Sequence, residues 1–309
     1  MNAAGSATIR GVLQAKALLS RLGPRNSFVG RIPDRVSREH SRPEPLFAST
    51  PPGALIYVVG DIHGRADLLK RLVAMLRADS AERSGGHRPM LMFLGDYVDR
   101  GPESRAVLDE MVRLKSDPWF KIYCLCGNHD QFLLDFLEQP QVGSMWLEFG
   151  GAATLASYGV QPPQSSNASA WIAAGRALGE SMPADHLDFI RTTSLYSTFG
   201  DYVFVHAGVR PGVALRDQHA NDLTAIREAF LETPDPLPGR VVVFGHTPYR
   251  EPLVQPRKIG LDTGACVTGR LTALALQDGE RRFLQTGNPD RVWALPDVGN
   301  EPDEPSPRL

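Results

Sequence analysis

Asp61 and His63 stand two residues apart in GDIHG, directly after the apolar run ALIYVV of residues 54–59. On an extended segment such side chains point the same way, so both can reach one cation, while Gly60 and Gly64 let the backbone turn without a Cβ clash. The device returns in MLMFLGDYVDRG, FKIYCLCGNHD, YVFVHAG and VVVFGHT, where an apolar strand runs into Gly, Asp, Asn or His. Taken singly, a Gly-Asp turn or a strand-end histidine is ordinary structural chemistry. Five in one chain call for one explanation, which is that the strand ends converge.

Convergence would gather Asp61, His63, Asp96, Asn128, His206 and His246: two carboxylates, three imidazoles and an amide oxygen. That exceeds what one divalent ion uses and suits two ions sharing a carboxylate, with Asp96 as the bridge. Mixed oxygen and nitrogen donors turn the choice away from calcium and magnesium and towards manganese, iron, zinc or cobalt. A pair of manganese ions is the expectation. Two ions about 3.5–4 Å apart would hold a water between them and lower its pKa from ~15.7 towards ~7, supplying hydroxide for direct attack on phosphorus.

Two neighbours would complete such a reaction. His129 sits beside Asn128 but points the other way, which suits protonation of a leaving oxygen, a role worth roughly 10²- to 10⁴-fold in rate; Asp99 would orient it. Arg100 offers a planar fork to phosphate oxygens, and Arg210 and Arg227 are the candidates for a second arginine. Plainer readings stand beside these. Asp99 and Arg100 could form a surface ion pair, and DLTAIREAFL around Arg227 is also an amphipathic helical pattern. His40, His87, His186 and His219 lack a strand-end setting and are expected on the surface.

The elements that must position these residues are legible in outline. Residues 54–59, 90–94 and 120–126 are apolar strands, each followed by a motif loop and a helical pattern, which implies parallel strands joined by crossovers with their loops at the carboxyl edge. Residues 139–200, including WLEFGGAATLASYG, are expected to form an insertion that covers the site. Short strands near 202–206, 241–244, 258–261 and 271–276 suggest a second sheet largely without crossover helices. Residues 1–53 are expected to be a disordered basic leader and Pro-rich linker, 54–295 the catalytic domain, and 296–309 a disordered tail.

Composition narrows the class. With 309 residues, 42% of them hydrophobic, the chain can bury a large core, and a formal net charge of -2 gives no global attraction to DNA or an anionic membrane. Three cysteines are too few for a secreted disulfide framework, which suits a reducing cytoplasm; Cys124 and Cys126 are expected to pack as buried thiols.

The ordered set GDIHG, GDYVDRG, GNHD, HAG and GHT resembles the phosphoprotein-phosphatase family of metallophosphoesterases over roughly residues 54–280. The resemblance implies an α/β (α+β) calcineurin-like fold: a central β-sandwich flanked by helices in αββα layers. It also implies a dinuclear centre on Asp61, His63, Asp96, Asn128, His206 and His246, a His129–Asp99 proton-donating pair and a phosphate-binding Arg100. GNHD stands where protein phosphatases usually show GNHE, and HAG where eukaryotic members show HGG. Where bacterial members often read Leu-Leu-Trp-Ile-Arg up to the position of Arg227, this chain has Thr224 and Ala225 in the middle. Asp99 separates the chain from the symmetrical diadenosine tetraphosphate hydrolases, which usually lack an acid there. The expected substrate is therefore a phosphoserine or phosphothreonine protein or peptide. A dinucleoside polyphosphate or nucleotide-capped RNA end is the alternative, and a catalytically weak phosphate-recognising regulator is the reading of another class.

Overall fold

A computed structural model describes residues 48–164, 167–287 and 290–294. The three expected strand–loop–helix units are β1 (Ile56–Val59) with α1 (Ala66–Arg83), β2 (Met90–Phe93) with α2 (Ser104–Lys115), and β3 (Lys121–Cys124) with α3 (Asn128–Glu138). Four helices follow, α4 (Gly143–Glu148), α5 (Gly151–Ser157), α6 (Ala168–Ser181) and α7 (Ala184–Arg191), and then β4 (Tyr196–Phe199) and β5 (Tyr202–Val205). The chain continues through α8 (Ala220–Ala225), α9 (Glu228–Leu231), β6 (Val241–Phe244), β7 (Leu253–Gln255), β8 (Lys258–Gly260) and α10 (Ala265–Thr268). It closes with β9 (Thr272–Gln277), β10 (Glu280–Gln285) and β11 (Arg291–Ala294).

Two sheets form, in the orders β11-β10-β9-β1-β2-β3 and β4-β5-β6-β8-β7. Their inner faces make one apolar layer in which Ile56, Val58, Met92, Leu274 and Phe283 of the first sheet meet Phe204, Val241, Val243 and Ile259 of the second. Alternate residues point outward. Tyr57 reaches Asp79 of α1, donating its hydroxyl to Oδ2 at 2.5 Å, and Val203, Val205, Val242 and Phe244 pack with Leu223, Ile226 and Phe230 from α8 to α9. Strands covered on both faces read as continuous apolar runs, which is why IYVV, YVFV and VVVF show no polar alternation. The layers are thus helix, sheet, sheet, helix, as the resemblance implied.

Three expectations change. The strand at 271–276 does not join the second sheet: β9 pairs antiparallel with β1, Ile56 opposite Leu276, and brings β10 and β11 with it. The crossover from β5 to the parallel β6 carries α8 and α9, so the second sheet does use helices. Residues 139–200 end in β4, an edge strand paired with β5, so this segment is part of the sandwich as well as an addition to it.

The expected linker is anchored at its end. Ala48 is buried, Ser49 N donates to Asp201 Oδ2 at 2.9 Å, and Gly53 N donates to Asp278 Oδ1 at 3.1 Å. Residues 1–47 and 296–309, with His40, lie outside the described residues. His186 is 1% exposed rather than superficial: Nδ1 meets the Tyr158 hydroxyl at 2.8 Å and Nε2 meets Asp109 Oδ1 at 3.0 Å. Cys124 and Cys126 are buried thiols, and burial pushes each up to about 12. Among the described residues no helix is long and apolar enough to cross a membrane.

The inner layer should dominate stability. Phe204→Ala is expected to lower the urea-unfolding free energy by about 3–5 kcal/mol, and Val254→Ala, on the edge strand β7, by less than ~0.5 kcal/mol. Equal effects in the two melts would contradict this layering.

Candidate metal centre

Six strands end at one edge of the sandwich. β1, β2 and β3 run parallel in the first sheet, and β5, β6 and β8 run parallel in the second. Their carboxyl ends deliver Asp61 and His63, then Asp96, Asp99 and Arg100, then Asn128 and His129 at the start of α3, then His206, His246 and Asp262. Backbone bonds sew the edge together: Ile62 N and His63 N both donate to Asp96 O, at 3.1 and 2.9 Å, and Gly245 N donates to His206 O at 2.7 Å. Gly60 is required here, because a Cβ would lie 2.5 Å from the Leu261 carbonyl of the neighbouring strand end.

Asp96 is the meeting point. Its Oδ2 lies 3.5 Å from His63 Nε2, 3.4 Å from His206 Nε2 and 4.0 Å from His129 Nε2, and Oδ1 accepts the His129 amide at 3.0 Å. Two overlapping clusters, His63–Asp96–His129 and Asp96–His206–His246, have their ligand atoms within 4.8 Å of one another. Asn128 Oδ1 stands 3.2 Å from His206 Nε2. Asp61 lies outside both clusters; its oxygens accept the His246 amide at 3.1 and 2.9 Å.

The donor set fits divalent ions. Carbonyls only accept, so His63 donates Nδ1–H to Val98 O at 2.9 Å and His206 donates Nδ1–H to Leu94 O at 3.0 Å. Both Nε2 atoms are thereby turned toward Asp96, that of His63 as a lone pair and that of His206 as the N–H of an imidazolium, and His246 Nε2 is buried with no hydrogen-bond partner. Carbonyl-fixed imidazoles around a shared carboxylate are the arrangement metal ligation uses. Burial and then the Arg100 charge hold His63 well below its ordinary value, and burial and then Arg227 do the same to His246, so both are neutral ligands in waiting. Burial alone would raise Asp96, but the His206, His129 and His63 imidazoles outweigh it and hold the carboxyl well below the usual range. Burial also opposes the His206 imidazolium, yet Asp96 and Asp61 push it up to about 9. A proton there balances carboxylates that a metal would otherwise balance.

His129 donates Nδ1–H to Asp99 Oδ2 at 2.7 Å, and its Nε2 accepts from Arg100 Nη2 at 2.9 Å. Arg100 Nη1 reaches His63 Nε2 at 2.8 Å. Arg227 lies between α8 and α9, which breaks the single helix its sequence also suggested; Nη2 reaches His246 O at 3.5 Å. Burial first, and the Arg100 charge next, lower the Arg227 guanidinium. Buried Lys258 anchors that arm by donating to the carbonyls of Phe230, Leu231 and Thr233. Arg210 spends its fork on Asp222, Nε to Oδ2 at 2.7 Å and Nη2 to Oδ1 at 2.5 Å, instead of turning to the cluster.

Two further buried acids stand beside the site, Asp262 and Asp130. Asp262 follows β8 in KIGLD, another apolar strand running into Asp; it is 1% exposed, Oδ1 accepts Gly264 N at 2.8 Å, and Oδ2 is buried without a partner. Its charge, after burial, is what most raises Asp61. Asp130, the last residue of GNHD, accepts from Asp96 N, Tyr97 N and Gly127 N at 2.9, 3.0 and 2.9 Å and so fixes the second loop to α3.

Fold and site define a metallophosphoesterase. The sequence model of the calcineurin-like phosphoesterase family matches residues 54–292, and the chain belongs to that family. The asymmetrical bis(5'-nucleosyl)-tetraphosphatase PrpE of Anoxybacillus flavithermus is 26% identical over 246 residues, 73% of this chain and 92% of that protein. Its counterpart from Halalkalibacterium halodurans is 28% identical over 243 residues, 72% and 90% of the two chains. Serine/threonine-protein phosphatase 2 of Escherichia coli is 39% identical over 100 residues, 31% of this chain and 38% of that protein. Among solved structures, a cold-active protein tyrosine phosphatase shares the fold, with a TM-score of 0.52 at 16% identity over 81% of this chain and 82% of that one.

Between pH ~6.5 and ~9 the metal-free protein should lose stability as pH rises, because the contributions of His63 and His246, held below their ordinary value, are largely complete above ~6.5. A histidine raised from 6.5 to about 9 contributes stability that is complete below 6.5 and gone above about 9, and Asp130, raised to about 8 by burial and then Asp96, acts in the same direction. The gain in melting temperature on adding manganese is therefore expected to be larger at pH ~8.5 than at ~6.5. A gain independent of pH would count against ligation through His206.

Proposed function

We infer that this protein is a dinuclear-metal phosphoesterase acting on phosphoserine or phosphothreonine in protein or peptide. The observation that carries the reading is the buried His129–Asp99 pair, Nδ1 to Oδ2 at 2.7 Å, with His129 Nε2 facing the same space as Asp96 Oδ2. A serine or threonine alkoxide is a poor leaving group and benefits from a positioned proton donor, whereas a nucleotide phosphate can leave already ionised.

Bound to Asp61, His63, Asp96, Asn128, His206 and His246, a divalent pair, manganese by preference, would activate water and neutralise phosphate oxygens. The chain supplies the rest. Arg100 and Arg227 hold the non-bridging oxygens; turning to the phosphate takes Arg100 off His129 Nε2, which then carries a proton. A water releases one proton to solvent as its oxygen bonds to phosphorus, the bond from phosphorus to the serine or threonine oxygen breaks, and Nε2 gives that oxygen its proton and regains one from solvent. Asp99 keeps the Nδ1 proton throughout and fixes the ring plane.

The PrpE relatives, which span most of this chain, favour a second reading, a dinucleoside tetraphosphate as substrate. A phosphoserine peptide and diadenosine tetraphosphate offered in parallel with manganese are expected to give the higher kcat/KM for the peptide; the opposite ranking establishes the second reading. His129→Asn should retain both metals by elemental analysis and lower kcat on the peptide by roughly 10²- to 10⁴-fold, whereas Asp96→Asn should lose metal and turnover together. Near-normal turnover in His129→Asn removes the proposed acid.

A further inference from the structure

The segment WLEFGGAATLASYG does more than cover the site. Asp99 is fully buried, and its backbone is held at φ 71°, in the left-handed region. Besides His129, two donors reach its carboxylate, both from this segment: Trp146 Nε1 to Oδ2 at 2.8 Å and Thr154 Oγ1 to Oδ1 at 2.6 Å. Thr154 has one hydroxyl proton and gives it to Asp99, so Ser104 Oγ, 3.0 Å away, must donate to Thr154. The Asp99 amide in turn donates to Thr154 Oγ1 at 2.9 Å and Ser104 Oγ at 3.1 Å.

The next residue is gripped by the same segment. Arg100 N donates to Gly150 O at 3.2 Å. Gly150 has φ 100°, and a Cβ there would lie 2.8 Å from Arg100 Cγ. Phe149 walls the dyad, stacked on Phe132 at 5.1 Å and edge-on to His129 at 6.3 Å. Trp146 is itself locked against Phe136 at 4.8 Å.

We propose that Trp146 and Thr154 are positioning residues for the proton donor, acting through Asp99 to fix the plane of the His129 ring. The inference rests on the reading of His129 as the acid. Without Thr154 the Oδ1 atom of Asp99 loses its side-chain donor, and without Trp146 the Oδ2 atom keeps only His129; in either case the carboxylate can rotate, so the imidazole loses the direction of Nε2 while the metal ligands keep theirs. Such a defect is selective: it slows departure of an alkoxide and spares a leaving group that needs no proton.

The test compares wild type, Thr154→Val, Trp146→Phe, Thr154→Ser and His129→Asn in the full-length, manganese-loaded protein, on a phosphoserine peptide and on p-nitrophenyl phosphate. Thr154→Val and Trp146→Phe are expected to lose about 10- to 100-fold in kcat on the peptide, part of the span a general acid commands. On p-nitrophenyl phosphate the loss should stay under about 3-fold, with KM and metal content unchanged and Thr154→Ser restoring the peptide rate. Trp146→Phe keeps the inference open to refutation should Thr154→Val fold poorly. If His129→Asn shows the leaving-group asymmetry while both buttress variants slow the two substrates equally, or neither, the positioning role is overturned and the acid stands. If His129→Asn itself shows no loss on the peptide, the acid falls and the inference with it.

Discussion

A single carboxylate oxygen, Asp96 Oδ2, has two imidazole nitrogens within 3.5 Å, and the edge of the sandwich is organised around that crowding. Lone pairs and negative charge collected in a buried place require a cation or a proton among them. At an effective dielectric of about 20, unit charges ~4 Å apart interact by roughly 4 kcal/mol, a large share of the ~5–15 kcal/mol by which a domain is stable. The architecture supplies proton balance in the meantime, with His206 raised to about 9 against the carboxylates. It also supplies readiness, since the carbonyls of Val98 and Leu94 hold the Nδ1 protons of His63 and His206 and turn both Nε2 atoms inward.

That arrangement is costly for the backbone. His63, Asp96, Asp99, Arg100 and His246 all have φ between 45° and 71°, where side chains other than glycine are disfavoured by ~1–2 kcal/mol. Such strain persists only where the surroundings over-determine the conformation. Here they do: Asp130 clamps the turn at Asp96 and Tyr97, Thr154 and Gly150 clamp Asp99 and Arg100, and Asp61 clamps the His246 amide. The clamps come from separate elements, so each turn is tied to more than one part of the fold.

Much of this was legible. The three βα units have the expected strands, and Asp61, His63, Asp96, Asn128, His129, His206 and His246 do meet at one edge, because a parallel strand can end its loop only at its carboxyl end. Other features were hidden for identifiable reasons. β9 is buried on both faces like the parallel strands, so its pattern names a strand but no partner, and only the register with β1 assigns it to the first sheet. Arg210 follows His206 closely in HAGVRPG, yet Asp222, at the start of α8, claims its guanidinium. His186 has no motif around it, because its partners Tyr158 and Asp109 are distant in sequence and come together by packing. Asp262 did carry a signal, an apolar strand running into Asp, at a position with no histidine beside it.

From the amino-acid order alone one can read which side chains end which strands, and hence that carboxylates, imidazoles and an amide share one edge. Strand order and residue type suffice for that, since both follow from local periodicity and turn chemistry. Three-dimensional packing alone settles which of two nearby arginines faces the cluster, how Asp99 is held, and that Trp146 and Thr154 both donate to its carboxylate. Those outcomes depend on hydrogen bonds between residues tens of positions apart, whose geometry is set by how two sheets and their helices pack and leaves no trace in local pattern.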